Sequence, residues 1–206
     1  FNQSVLMQEL LEDAKNSKSS HDFGKDIIPQ MLKKGMKIVA YNFCNKDKGQ
    51  EYWRDIGTID AYYEANMELI QVNPTFNLYD QEWLIRTFQE QYPPVKTVHS
   101  GDKEEGRVGL VLDSIVSEGC VVSGGRVQRS ILSPNVRINS FSEVYDSILM
   151  ESVHVGRHAK IKRAIIDKDV SIPPGMIIGF NLEEDKKRFF VSESGIVVVA
   201  KGTEFK

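Results

Sequence analysis

The chain has 206 residues, 41% of them hydrophobic and 27% charged, with a net charge of −3 and a pI near 5.9. That balance suits one or two ordinary folded domains and excludes the basic footprint of a nucleic-acid or membrane-surface protein. Its longest fully apolar run, Ile196 to Ala200, is far too short to span a bilayer.

The segment Val5 to Ala14 reads as an amphipathic helix with Leu6, Leu10 and Leu11 on one face. Glu9, Glu12 and Asp13 and the lack of a basic start set it apart from a signal peptide. Because the chain opens on Phe1 rather than methionine, it reads as a fragment or a processed piece. Ser19-Ser20-His21-Asp22 supplies N-cap chemistry for a second helix through Ile27, Ile28, Met31 and Leu32, ended by Gly35. Met36 to Phe43 is rich enough in β-branched and aromatic residues to be a strand, and Asn45 to Gln50 is a charged loop. Tyr52 to Thr58 leads into a third helix carrying Ile59, Tyr62, Asn66, Leu69 and Ile70 on one face. This tract has no core of its own, so residues 1–71 read as the tail of an α/β domain. Residues 72–106, with Pro74, Pro93 and Pro94 and a Gly- and charge-rich end, read as a connecting arm.

From Asp113 to Gly179 the chain repeats every seventeen residues. Ser130-Ile131-Leu132, Ser147-Ile148-Leu149 and Ala164-Ile165-Ile166 overlay, followed by Val136, Val153 and Val170, then Ile138, Val155 and Ile172, then Val144, Ile161 and Ile178. An imperfect earlier copy opens at Ser114-Ile115-Val116, and Val121 and Val127 sit seventeen before Ile138 and Val144. Helical solenoids need about 33 or more residues per repeat, so the period excludes them. Aliphatic anchors such as Leu149, Val155, Ile161 and Ile166 instead suit three short strands per turn, bent at small or polar corners. Those corners read Asn139-Ser140, Gly156-Arg157 and Pro173-Pro174 on one edge, and Pro134-Asn135, Glu151-Ser152 and Lys168-Asp169 on another. The pattern predicts a parallel β-helix of about four turns over residues 107–206, with Ile131, Ile148 and Ile165 stacked inside one column. A β-sandwich gives no reason for a constant period. Glu183 to Phe189 reads as a helical turn or two, and Val191 with Ile196 to Ala200 as a hairpin capping the coil. Cys44 and Cys120 form no framework, which favours two ordinary thiols in a reducing cytoplasm.

The densest functional signal is Trp53-Arg54-Asp55-Ile56-Gly57-Thr58. An aromatic platform, a carboxylate and a glycine turn ahead of a helix suit a sugar- or phosphate-facing corner, with Asp55 able to hold Mg²⁺. The plainer reading makes Asp55 the cap of the third helix and Trp53 a core residue. His21 and His99 lack metal-ligand spacing and receive no role, and Phe43, Tyr62 and Tyr63 read as core.

Tyr52 to Tyr62, together with Ser19-Ser20-His21-Asp22-Phe23-Gly24-Lys25-Asp26, resembles the C-terminal half of ADP-glucose pyrophosphorylases (glucose-1-phosphate adenylyltransferases). Ile85-Arg86-Thr87 with Pro93-Pro94, Arg137-Ile138-Asn139-Ser140, Ile165 to Lys168 ahead of Ile172-Pro173, and Ser194 to Val197 agree in the same order. The resemblance implies a Rossmann-like nucleotidyltransferase remnant followed by a left-handed parallel β-helix of hexapeptide-repeat type. It implies a cytoplasmic enzyme of glycogen synthesis that joins ATP and α-D-glucose 1-phosphate into ADP-glucose and pyrophosphate with Mg²⁺. Residue by residue, it makes Asp55 the catalytic metal-binding carboxylate, and Asp22, Phe23, Trp53 and, from the same motif, Ser20 the glucose 1-phosphate contacts. Lys25 is a motif neighbour. Lys168 and Lys201 match effector-binding positions for phosphorylated metabolites in an enzyme that is usually a tetramer. Phe88-Gln89-Glu90-Gln91 departs from the basic character of plant relatives and leaves the effector open. The glycine-rich ATP loop, a second metal carboxylate and the main sugar-phosphate lysine would lie in the half not present, so the fragment alone should be inactive. Two other readings compete. A hexapeptide-repeat acyltransferase would use outward His154 or the corner His158 as a base, and a regulatory subunit of the same family would keep the architecture without catalysis.

Overall fold

Seventeen-residue spacing becomes the pitch of a coil with three walls. The computed structural model describes residues 1–41, 52–82, 84–86, 90–99 and 106–205. The charged loop 45–50, Phe43, Cys44 and positions 100–105 fall outside them. Two compact units emerge, residues 1–49 and 50–206.

In the second unit, strands Lys96–Val98, Val121–Ser123, Arg137–Ile138, His154–Val155 and Ser171–Ile172 stack in parallel as one wall. Leu110–Leu112, Arg126–Gln128, Glu143–Tyr145, Lys160–Lys162 and Ile177–Ile178 form the next. Ile115–Val116, Ile131–Leu132, Ile148–Leu149 and Ala164–Ile166 form the third, which Val197–Val199 extends in parallel and Phe190–Val191 closes antiparallel. The expected cap is this hairpin together with a short helix, Leu182–Asp185. Its Asp185, 1% exposed, accepts from the amide of Gly179 and from Arg188, tying the cap to the last turn. The first strand, Lys96–Val98, lies in the segment read as connecting arm.

The corners explain how so short a strand can turn. Asn135, Ser152 and Asp169 hold φ near +60°, and so do Phe141 and His158, while Asp113, Arg129, Asp146 and Arg163 hold φ between 45° and 48°. Outside glycine, asparagine and aspartate a left-handed residue costs about 1–2 kcal/mol, so Arg129, Phe141, Ser152, His158 and Arg163 concentrate strain at the corners, offset inside the coil. The turns at 134–135, 151–152 and 168–169 fall where the sequence places them. The other expected edge lies one residue later, at 140–141, 157–158 and 174–175.

Two details of register differ from the periodic reading. Ile131, Ile148 and Ile165 do pair one above the next, but on the outer face of the third wall. Adjacent strand residues point to opposite faces, and the interior column belongs to Leu132, Leu149, Ile166 and Val199. Similarly Val122, not Val121, pairs with Ile138. The first copy is one residue short at the corner made by Gly124 and Gly125, where a Cβ would meet Arg107 at 2.6 Å and Ile138 at 2.7 Å. Inside, Val127, Val144, Ile161 and Ile178 make a second dry column and Cys120, Val136, Val153 and Val170 a third. Each full side chain buried there is worth about 1.5–3 kcal/mol. Burial raises the Cys120 thiol, which donates to the Ser133 carbonyl.

Of the outer isoleucines, Ile148 and Ile165 are covered by helix α3 (Ile59–Glu68), counting the chain's helices from its start. Tyr63 packs with Ile148, Ile165 and Ile196, and its hydroxyl donates to the Asp146 carbonyl at 2.6 Å. The expected apolar face of this helix, Ile59 and Tyr62 included, thus meets the coil wall.

The first unit holds α1 (Gln3–Asp13), a five-residue π-helical turn (Phe23–Ile27) and α2 (Ile28–Lys33). Pro29 has no amide to donate, and the ladder ahead of it widens, with Ile27 and Ile28 bonding five residues back. Helix α1 inverts expectation: its buried residues are Glu9 and Asp13, while Leu11 is 59% exposed. Lys34 explains one of them, reaching Glu9 at 2.7 Å and Glu12 at 2.8 Å. The expected strand from Met36 does not form over its described residues, 36–41. Val39 and Tyr41 are 75% and 85% exposed. A strand needs a hydrogen-bonded neighbour, and no described strand pairs with it.

Candidate functional site

The two signature motifs fall in different compact units, and each is built separately. In the first, Asp22 caps the π-helical turn, its Oδ1 accepting from the amides of Gly24 and Lys25 at 2.7 and 2.8 Å. Ser20 does not reach outward: its hydroxyl and amide both donate to Asp26 Oδ2, which also accepts from the Asp22 amide. The Ser20 hydroxyl and then the Asp22 amide hold the Asp26 carboxyl below its usual range. Phe23 is 43% exposed and meets Phe1 edge-on at 5.7 Å. Just upstream lies a residue that sequence reasoning passed over. His21 Nδ1 stands 2.7 Å from Asp13 Oδ2, and the Ser19 hydroxyl donates to Asp13 Oδ1 at 2.6 Å. The Ser19 bond, then that of His21, lowers the Asp13 pKa.

In the second unit, the loop ahead of α3 is pinned at alternate residues. Tyr52 stacks on Phe76 at 4.9 Å, and Arg54 reaches Glu68 Oε2 through Nε and a terminal nitrogen at 3.2 and 2.9 Å. A hydrogen bond from Thr75, then the Arg54 guanidinium, keeps the Glu68 carboxyl low. Thr58, not Asp55, caps α3 by accepting from the Ala61 amide. Asp55 Oδ1 accepts from the Gly57 amide at 2.9 Å, leaving Oδ2 without a partner among the described residues. Trp53 is 80% exposed and so is not a core residue. Both halves of the plainer reading therefore fail. A tethered carboxylate with one free oxygen fits one ligand position of a hard cation; the described residues hold no cluster of three candidate ligands.

Behind this loop, Asp60 in the first turn of α3 accepts from the hydroxyls of Ser192, at 2.8 Å, and Ser194 in the cap hairpin. The Ser194 bond, then that of Ser192, lowers the Asp60 pKa. Arg163 donates to the Ser194 carbonyl and lies 5.6 Å over the Tyr63 ring. Partners 132 and 134 residues apart leave no local pattern from which this clasp could be read.

Lys168 and Lys201 are brought to one corner. Asp167 Oδ1 accepts from the Lys168 amide and Oδ2 from the Lys201 amide, at 2.7 and 3.1 Å. Both side chains are exposed, and Lys201 pairs with Asp169 at 2.7 Å, which raises its pKa. The acyltransferase histidines are occupied elsewhere. Outward His154 meets Asn139 Nδ2 at 3.1 Å, and His158 stacks on Phe141 at 5.0 Å.

Comparison with known proteins agrees with both units. The nucleotidyl transferase family matches residues 1–72, and the GlmU-like, C-terminal hexapeptide family matches residues 93–199. A glucose-1-phosphate adenylyltransferase of Koribacter versatilis is 53% identical over 202 residues, covering 98% of this chain and 48% of the relative. Those of Anaeromyxobacter sp. and Methylococcus capsulatus are 52% and 53% identical over 98% and 97% of this chain, and 50% and 46% of their own lengths. The chain thus spans about half the length of the curated relatives it matches. No helix among the described residues is long and apolar enough to cross a membrane. With a family match over more than half its residues and a coil of the predicted pitch, the chain belongs to the GlmU-like hexapeptide family and carries a nucleotidyl transferase segment ahead of it.

Proposed function

We propose that the full-length protein is a glucose-1-phosphate adenylyltransferase, converting ATP and α-D-glucose 1-phosphate to ADP-glucose and pyrophosphate for glycogen synthesis in the cytoplasm. The observation that carries this reading is the loop Tyr52 to Thr58. It is pinned through Tyr52, Arg54 and Thr58, while the Trp53 ring and one Asp55 oxygen stay free. A flat indole suits the apolar face of a sugar. Asp55 would contribute a ligand to Mg²⁺, which neutralises phosphate charge when bound. Asp22, Phe23 and Ser20 serve the glucose 1-phosphate, Asp22 and Ser20 by shaping the turn that presents Phe23. Lys168 and Lys201 form an exposed cationic corner for a phosphorylated metabolite, and the protein works as a tetramer.

The test is ADP-glucose formation by the full-length protein beside an Asp55→Asn version. Removing a charge that positions the metal and phosphates should lower kcat by about a hundredfold or more, with the melting temperature unchanged because among the described residues Asp55 holds only the Gly57 amide. An unchanged rate removes Asp55 from the site, and an inactive wild type favours a regulatory subunit.

A further inference from the structure

We propose that His21 binds substrate, its Nε2 accepting a hydrogen bond from a hydroxyl of the sugar phosphate while Asp13 fixes the ring from behind. The inference rests on the functional reading above and extends it to a residue to which the sequence assigns no role.

Three observations carry it. First, the ring is oriented by a buried carboxylate. Asp13 is 4% exposed, and both its oxygens are committed, one to Ser19 and one to His21 Nδ1. A carboxylate only accepts, so Nδ1 carries the proton, and in the neutral imidazole of that tautomer Nε2 is the lone pair. Second, the backbone is bent to place this side chain. His21 has φ +59°, the left-handed region, and is the one such residue without glycine outside the coil among those described. Strain of this kind persists where the surroundings impose it and gathers at functional positions. Third, the outward nitrogen is spare: Nε2 has no partner among the described residues, the side chain is 58% exposed, and Asp22 and Phe23 follow directly.

Stapling the loop to α1 does not by itself call for imidazole. Asparagine enters the left-handed region more readily, and its amide nitrogen sits where Nδ1 sits, able to donate to Asp13. What asparagine lacks is the second, outward-facing nitrogen. His21 is thus the choice that staples and also reaches away from the staple. The two coil histidines differ: His154 meets an asparagine amide and His158 lies flat on a phenylalanine.

The same comparison makes the experiment. In the full-length protein, His21→Asn keeps the staple and the backbone angle and removes only Nε2. We expect its melting temperature to match wild type, and its Kd for glucose 1-phosphate by calorimetry to rise about tenfold, as for one lost hydrogen bond. The KM for glucose 1-phosphate should rise in step while that for ATP stays put. Inorganic phosphate, as a competing probe, should bind both proteins equally. An unchanged glucose 1-phosphate affinity in His21→Asn overturns the proposal and leaves His21 as a staple; so does a loss of phosphate affinity in parallel, which would move the contact to the phosphate. A wild type that binds no glucose 1-phosphate sinks the functional reading instead, and the inference goes with it.

Discussion

The two units are held together by different kinds of force. Residues 50–206 are built on columns of Val, Leu and Ile that repeat turn after turn, with hydroxyls of Ser114, Ser130 and Ser147 accepting from the next turn's backbone at 3.0–3.1 Å. Among the described residues of the first unit the buried apolar side chains are Ile27 and Met31, and the carboxylates Glu9 and Asp13 of α1 are buried as well. Glu9, Asp13, Asp22 and Asp26 each hold a lysine, a histidine, a hydroxyl or a backbone amide. Close packing ties the coil's stability to the volume of each buried side chain, whereas a polar network works only if every partner is present.

The largest effect that would sharpen the comparison is in the coil. Leu149→Ala leaves a cavity between Leu132 and Ile166 with no side chain able to move in, and should cost about 2–5 kcal/mol by urea denaturation. A loss below about 1 kcal/mol would mean the column can collapse, which the stacked geometry forbids. Next comes the clasp between α3 and the cap. The Asp60 pKa is lowered in the folded state, so its contribution is complete above the unfolded value near 4 and disappears as pH falls through the folded one. Asp60→Asn should therefore be less stable than wild type at pH 7, with the two converging as the pH falls below the lowered pKa of the folded state. A gap that persists in acid would assign the effect to something other than the carboxylate charge. The smallest whole-molecule effect belongs to the first unit. Lys34→Met leaves the Glu9 carboxylate, 3% exposed, without its cation. Amide exchange should quicken across α1 and α2 while the coil's protection is unchanged. Faster exchange in the coil as well would show that the two units share one unfolding event.

Much of the second unit is legible in the residues themselves, because each turn states the same instruction again and errors average out. Even there a one-residue ambiguity survives: Ile148 and Leu149 are equally apolar, and only the packing of Tyr63 shows that the isoleucine faces out. The motif around Asp55 announces itself by composition, yet its division into pinned and free residues depends on Phe76, Glu68 and Thr75, which follow no pattern in the chain. The strand expected from Met36 shows the opposite failure over residues 36–41, where β-propensity finds no partner among the described strands.

Periodicity along the chain determined the pitch and the three walls, since burying one face of a short strand demands a fixed spacing of apolar residues, while composition marked the capping hairpin and the loop around Asp55. Tertiary structure alone decided which isoleucines face α3, that Asp60 locks onto Ser192 and Ser194, and that a buried Asp13 turns His21 outward. Those are contacts between single polar or aromatic groups far apart or out of register, and their energy depends on geometry that no spacing rule carries.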